Sequence, residues 1–222
     1  MKNPSEGTPK SIEGKLRRLL ETANLSRLIN EYLVGPVGST FAGLEFDQFG
    51  TNPEREFTND DLIAVSMLDV RFGAKAIHQL LTLKTADSVL RDLPPDQDLW
   101  NTNQATRDEL QSAIKALDDI PGVGRTKASK LLARKRPRLA PICDSITERF
   151  YSAERWEFLD SLAECLSSDS TRTCIEQLKT SDKASSCSTL RILDIAIWMT
   201  GSNSRSARQV RSSVLGSSDT LF

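Results

Sequence analysis

Apolar residues recur at three- and four-residue intervals through most of the chain. Leu16, Leu19 and Leu20, followed by Leu25, Leu28, Ile29 and Tyr32, mark an opening helix or helix pair from about Ser11. Thr58 or Asn59 supplies a cap for a helix through Leu68, and shorter helices are expected over 74–81 and 86–93, before Pro94 and Pro95. Thr106 with Glu109 reads as a capping box, and Leu110, Ala113, Ile114 and Leu117 carry that helix to about Asp119. Pro121 and Gly122 stop it, Gly124 adds a second permissive position, and Ala128, Leu131 and Leu132 restart an apolar face. The pattern is helix, tight hairpin, helix over 107–136. Trp156, Leu159 and Leu162 predict another helix, and Leu190, Leu193, Ile197 and Trp198 a strongly apolar one that Gly201 would cap.

One stretch breaks the helical period. From Val34 to Phe57 the chain is rich in Gly and Phe, and GSTFAGLEFDQFG predicts a short β-hairpin or a loop near 40–50. Glu45 and Asp47, alternating with Leu44 and Phe46, then read as the polar side of a half-exposed strand rather than as site carboxylates. The expected organisation is a disordered N-terminus over 1–10, one helical domain over 11–201, and a basic Ser-rich segment over 202–222. The fold class is mostly α.

The hairpin carries the first chemical signal. A turn of this kind aims the backbone N–H groups near Val123, Gly124 and Arg125 outward at the start of a helix, where an anion such as a phosphate is favoured. Glycine is required where a Cβ would hold the anion away or forbid left-handed torsions. Arg125, Lys127, Lys130, Arg134, Lys135, Arg136 and Arg138 follow, with no acid between Ile120 and Cys143. Such a run predicts a basic patch with salt-sensitive attraction to nucleic acid. A lone carboxylate, Asp144, comes next in ICDSITERF, where it also has the place of a helix N-cap.

IPGVGRTKASKLL followed by PICDSITERF resembles the helix-hairpin-helix DNA glycosylases, the endonuclease III-like superfamily, in which LPGVGRKTA precedes VDTHI. The motif pair covers about thirty residues. The resemblance places the family's catalytic aspartate on Asp144, eighteen positions after Thr126, and also matches Arg149. It implies a two-lobed helical fold, with the helices before and after the hairpin as lobes and a base flipped from double-stranded DNA held in the cleft. It implies catalysis by Asp144, with Thr126 orienting water, and DNA contacts from Gly122, Val123, Gly124, Arg125, Lys127, Lys130 and Arg149.

The sequence departs from the pattern in three places. Thr126 stands where bifunctional lyase members have lysine, and Lys127 is rotated away by about 100° on a helix, which points to a monofunctional enzyme. Ile146 replaces a histidine common in the family. Cys143, Cys165, Cys174 and Cys187 are too irregularly spaced for the family's iron–sulfur cluster, so no cofactor and no metal are expected.

The expected reaction is hydrolysis of the N-glycosidic bond of a damaged or modified base, leaving an abasic site, in base-excision repair or in defence against modified phage DNA. The alternatives are a non-catalytic helix-hairpin-helix module that docks a partner enzyme on DNA, and a structural helical protein. Trp100, Trp156, Phe41, Phe46, Phe49 and Tyr151 are candidates for stacking, although large aromatics are more often core. Asp194 reads as a salt-bridge partner, and His78, the single histidine, as structural. Arg205, Arg208 and Arg211 would either line a helix face against DNA or belong to a frayed tail.

Composition limits this picture. With 29 Lys and Arg against 30 Asp and Glu, the net charge is −1, so DNA affinity must rest on local patches. MKNPSEGTPK has no signal-peptide character, and no apolar run approaches a membrane span, so a cytoplasmic monomer with reduced thiols is expected.

Overall fold

The computed structural model describes residues 11–35, 41–152, 157–216 and 220–222. Short polar residues set where many of the helices begin. Ser11 accepts the Gly14 amide and opens α1 (Ile12–Leu20), and α2 (Leu25–Leu33) follows a left-handed Asn24. Thr58 and Asp61 form a reciprocal capping box at the head of α3 (Asn59–Ser66), an arrangement worth about 1 kcal/mol. α4 (Ala74–Ile77) continues as a π-helical turn over His78–Thr82, and a 3-10 turn, Asp87–Leu90, replaces the short helix expected at 86–93.

α5 (Gln104–Asp118) starts earlier than the Thr106–Glu109 pair predicts. Asn103 is its cap, because the Asn103 side-chain oxygen takes both the Thr106 amide and the Thr106 hydroxyl. After the hairpin come α6 (Gly124–Lys135), α7 (Ser145–Tyr151), α8 (Leu159–Ser167), α9 (Asp169–Glu176), α10 (Asp182–Ser186), α11 (Thr189–Gly201) and α12 (Arg205–Leu215).

The fold is mostly α, and no strand is present among the described residues. The stretch expected as a hairpin near 40–50 contains a 3-10 turn, Ala42–Glu45, instead. Its backbone acceptors are claimed by guanidinium groups rather than by a neighbouring strand. Arg191 donates to the Gly43 carbonyl at 2.9 Å, and Arg134 donates to the carbonyls of Phe46 and Phe49.

Packing follows from the shape of α11. Leu190, Ile192, Leu193, Ile195, Ile197 and Met199 are buried around most of its circumference, so it must be covered from several sides. α2, α7, α9 and α12 do so, while α1 packs on α7, α8 and α9. α6 packs on α3 and α5. α1 and α2, which precede the hairpin in sequence, thus pack against helices that follow it. Leu28, Ile29, Leu117, Leu131 and Leu132 are completely buried, each contributing roughly 1.5–3 kcal/mol.

Gly201 is the last residue of α11 and not a left-handed cap, which Ser202 follows in extended conformation. The glycine makes room for a ring: a Cβ there would run into Phe222, whose ring also meets Phe150 at 4.9 Å. The described residues from 202 onward are built into the domain. α12 lies on α2 and α11, and Arg211 is buried with Nη1 donating to the Met199 carbonyl at 2.8 Å, while Arg205 and Arg208 are exposed. No helix is long and apolar enough to cross a membrane among the described residues.

Candidate active site

The hairpin joins α5 to α6 through two left-handed glycines, Gly122 at φ +86° and Gly124 at φ +70°. The Val123 amide closes the turn on the Ile120 carbonyl at 3.0 Å, and its side chain is core, so Val123 is not an outward donor as expected. The first turn of α6 has no side-chain cap. A Cβ added to Gly124 would meet open space, so glycine is required there by torsion and the helix start stays open to an anion. Arg125 pairs with Glu148 of α7 at 3.0 Å, and Lys127 turns onto the Arg71 carbonyl and over the Phe72 ring. The head of α4 lies beside the turn, with Ala76 about 3.5 Å from a Cβ built on Gly122.

The basic run does not form a surface patch. Lys130, Arg134, Lys135 and Arg136 are all buried and serve as fasteners for surrounding loops. Lys135 bonds Asp61 at 2.6 Å and the Pro53 carbonyl, and Arg136 bonds the carbonyls of Glu54, Leu90 and Leu93. Arg138 is held by Asp96 and Asp98. Buried cations must find partners, and here carbonyl ends of loops provide most of them.

Lys130 leads into a cavity of about 450 Å³, walled by the end of α3, α6, the head of α7, α11 and Ser202, Ser204 and Ser206, together with Tyr32 and Phe41. Asp144 caps α7 with a single oxygen: Oδ1 accepts the amides of Ile146 at 3.0 Å and Thr147 at 3.1 Å. Oδ2 lies 3.7 Å from Lys130 Nζ, which also donates to the Leu68 carbonyl at 2.9 Å. Burial lowers the Lys130 ammonium from the usual lysine value, against the pull of Asp144 and Asp194.

Asp194 faces the same cavity from α11. Its Oδ2 is bonded by Arg191 Nη1 at 2.6 Å, while Arg191 Nε takes Asp47 at 2.9 Å. Burial, reinforced by the charge of Asp144, pushes the Asp194 carboxyl up to about 6 in spite of Arg191 and Lys130. Tyr32, Phe41 and Trp198 form an aromatic corner, with Tyr32 stacked on Phe41 at 5.2 Å and Trp198 edge-on to both. The cavity combines carboxylates, an amine and flat apolar surfaces, which suits a planar ring held next to an acid–base pair.

Residues 25–201 match a family of unknown function, DUF6308. The chain belongs to that family. No curated protein and no solved structure matches the chain. The matched span holds the hairpin, Asp144 and Asp194 and stops before α12, so the serines at 202, 204 and 206 bring residues from beyond the family span to the cavity.

Of the residues singled out from sequence, Asp144 and Lys130 meet in the cavity, and Gly122, Gly124, Arg125 and Lys127 lie together at the hairpin. Thr126 is not part of the cavity wall; Lys130, one turn further along α6, is. Arg149 is exposed on α7, 3.5 Å from the Gly201 carbonyl. Among the stacking candidates that are described, only Phe41 lines the cavity. Phe46 lies under the Arg191 guanidinium, Tyr151 stacks on Phe158, Trp100 lies under Arg172, and Phe49 packs against the core. Trp156 falls outside the described residues.

Asp47, reached by Arg191, is a network carboxylate and not the polar side of a strand. His78 is exposed, and the cysteines are dispersed, Cys143 and Cys187 buried and Cys174 exposed. Sequence reasoning missed Tyr32 and Trp198 as cavity aromatics. The spacing of Asp194 and Trp198, four apart on one helix, was the available signal.

Proposed function

We propose that this protein is a monofunctional DNA glycosylase that hydrolyses the N-glycosidic bond of a flipped, damaged or modified base and leaves an abasic site. The observation that carries the reading is the double use of Asp144, which caps α7 with Oδ1 and leaves Oδ2 in a cavity with aromatic walls. A carboxylate at C1′ stabilises the oxocarbenium character that develops as the base departs, or takes the proton of the attacking water. The glycine hairpin then grips a backbone phosphate with the open first turn of α6. The motif resemblance supports the same reading.

Electrostatic attraction to DNA rests on fewer groups than the basic run suggests. Exposed Arg71 and Lys75 flank the hairpin, while exposed Arg205 and Arg208 lie on α12 next to cavity residues Ser204 and Ser206. These are the cations from which a phosphate track would be assembled. The test is incubation with duplex DNAs carrying uracil, alkylated, oxidised, mismatched and bulky phage-type bases, with abasic sites as the readout. Base loss from at least one of them is expected. Salt-dependent binding without base loss would favour a non-catalytic docking module, and absence of both would leave a structural role.

A further inference from the structure

We propose that Asp194 is a second catalytic carboxyl group, the one that gives its proton to the departing base. The inference rests on the glycosylase reading and adds a role for a residue that the motif does not contain.

Cleaving an N-glycosidic bond leaves an electron pair on the base, which needs a proton or a cation to accept it. The cations that line the cavity are already engaged. Arg191 spends Nε on Asp47, Nη1 on Asp194 and Nη2 on the Gly43 carbonyl and the Tyr32 hydroxyl. Lys130 is engaged by the Leu68 carbonyl and by Asp144. Asp194 has Oδ2 fixed by Arg191 and lines the cavity beside them.

Trp198 lies one turn along the same helix and also lines the cavity, so a ring stacked on it would have its edge near the Asp194 carboxyl. Asp144 enters from α7. The two carboxyl groups thus face one cavity from separate elements, as an acid and a base on opposite sides of a scissile bond would.

The charged and titratable groups around Asp194 are Arg191 on α11, Asp144 and Tyr151 on α7, Lys130 on α6, Tyr32 on α2 and Asp47 beyond the 3-10 turn. Burial and the neighbouring Asp144 charge favour its protonated form, whereas Arg191 and Lys130 oppose it. Two carboxyl groups with environments of this kind divide acid and base roles.

The C1′–N bond breaks with its electron pair going to the base, and the Asp194 proton moves onto the base. Water oxygen bonds to C1′ and passes its proton to Asp144. The products are neutral base and abasic deoxyribose, and solvent returns the proton from Asp144 to Asp194.

The test uses single-turnover base release by wild type, Asp194→Asn, Asp194→Glu and Asp144→Asn. The probes are duplexes carrying uracil or hypoxanthine, which need protonation to leave well, and 5-fluorouracil or 7-methylguanine, which leave readily without it. Asp194→Asn is expected to lose on the order of a hundredfold or more on the first pair and markedly less on the second. Asp194→Glu should recover part of the loss, and Asp144→Asn should lose activity on all of them. The wild-type rate on the first pair should fall as pH rises above about 6, and the Asp194→Asn rate should not. Equal loss on both pairs, or loss on neither, would overturn the proposal; a merely structural residue gives the former. Wild type that releases no base from these duplexes or from the oxidised, mismatched and bulky phage-type ones would overturn the glycosylase reading and this proposal with it.

Discussion

Asp144 and Asp194 are both carboxylates in one cavity, yet their surroundings set them apart. Asp144 accepts two backbone amides at the head of a helix and neighbours Lys130. Asp194 is half-buried and shares its guanidinium partner with Asp47. With its carboxyl pushed from 3.8 to about 6, Asp194 holds a proton in the folded state that the unfolded chain has already released. Stability is therefore expected to fall as pH rises from about 4 through about 6 and to level off beyond. The span is on the order of 2–3 kcal/mol. Asp194→Asn should flatten this part of the curve, as measured by urea denaturation across that range. A variant curve parallel to that of wild type would contradict the assigned burial.

At the scale of elements, α6 decides most of the architecture. It begins at the anion-ready hairpin, sends Lys130 into the cavity, and closes by fastening the loops at 46–54 and 90–93 through Arg134, Lys135 and Arg136. Arg136→Met should destabilise the fold by about 3 kcal/mol or more, since several buried carbonyls lose their donor. A change within 0.5 kcal/mol, about the level of a neutral surface substitution, would refute that role.

The hairpin was legible in the sequence because glycine torsions and caps are local properties, and Gly122 and Gly124 do take left-handed angles. The direction of the basic run was not legible. Lys130 and Arg134 recur at helical spacing among Leu131, Leu132 and Ala133, so one pattern serves both a solvated face and an inward one. The Arg191–Asp47 pair joins residues 144 positions apart, which no local pattern encodes. The same separation explains why a 3-10 turn stands where alternation suggested a β-hairpin.

Across the whole molecule, acids and bases nearly cancel, and much of the positive charge near the hairpin is neutralised internally. Glu148 pairs with the one hairpin arginine, so a phosphate arriving at Arg125 competes with a carboxylate of α7. Glu148→Gln is expected to tighten DNA binding several-fold and to steepen the dependence of log affinity on log salt by roughly 0.9, the contribution of one added phosphate contact. Unchanged or weaker binding would show that Arg125 does not face DNA. Asp144→Asn isolates the carboxylate, because asparagine caps a helix about as well as aspartate. The measurement is abasic-site formation by wild type and Asp144→Asn on the base that wild type releases, alongside a thermal melt of each. Base release is expected to be lost in the variant while both proteins melt cooperatively; base release retained by the folded variant would contradict the catalytic role of Asp144.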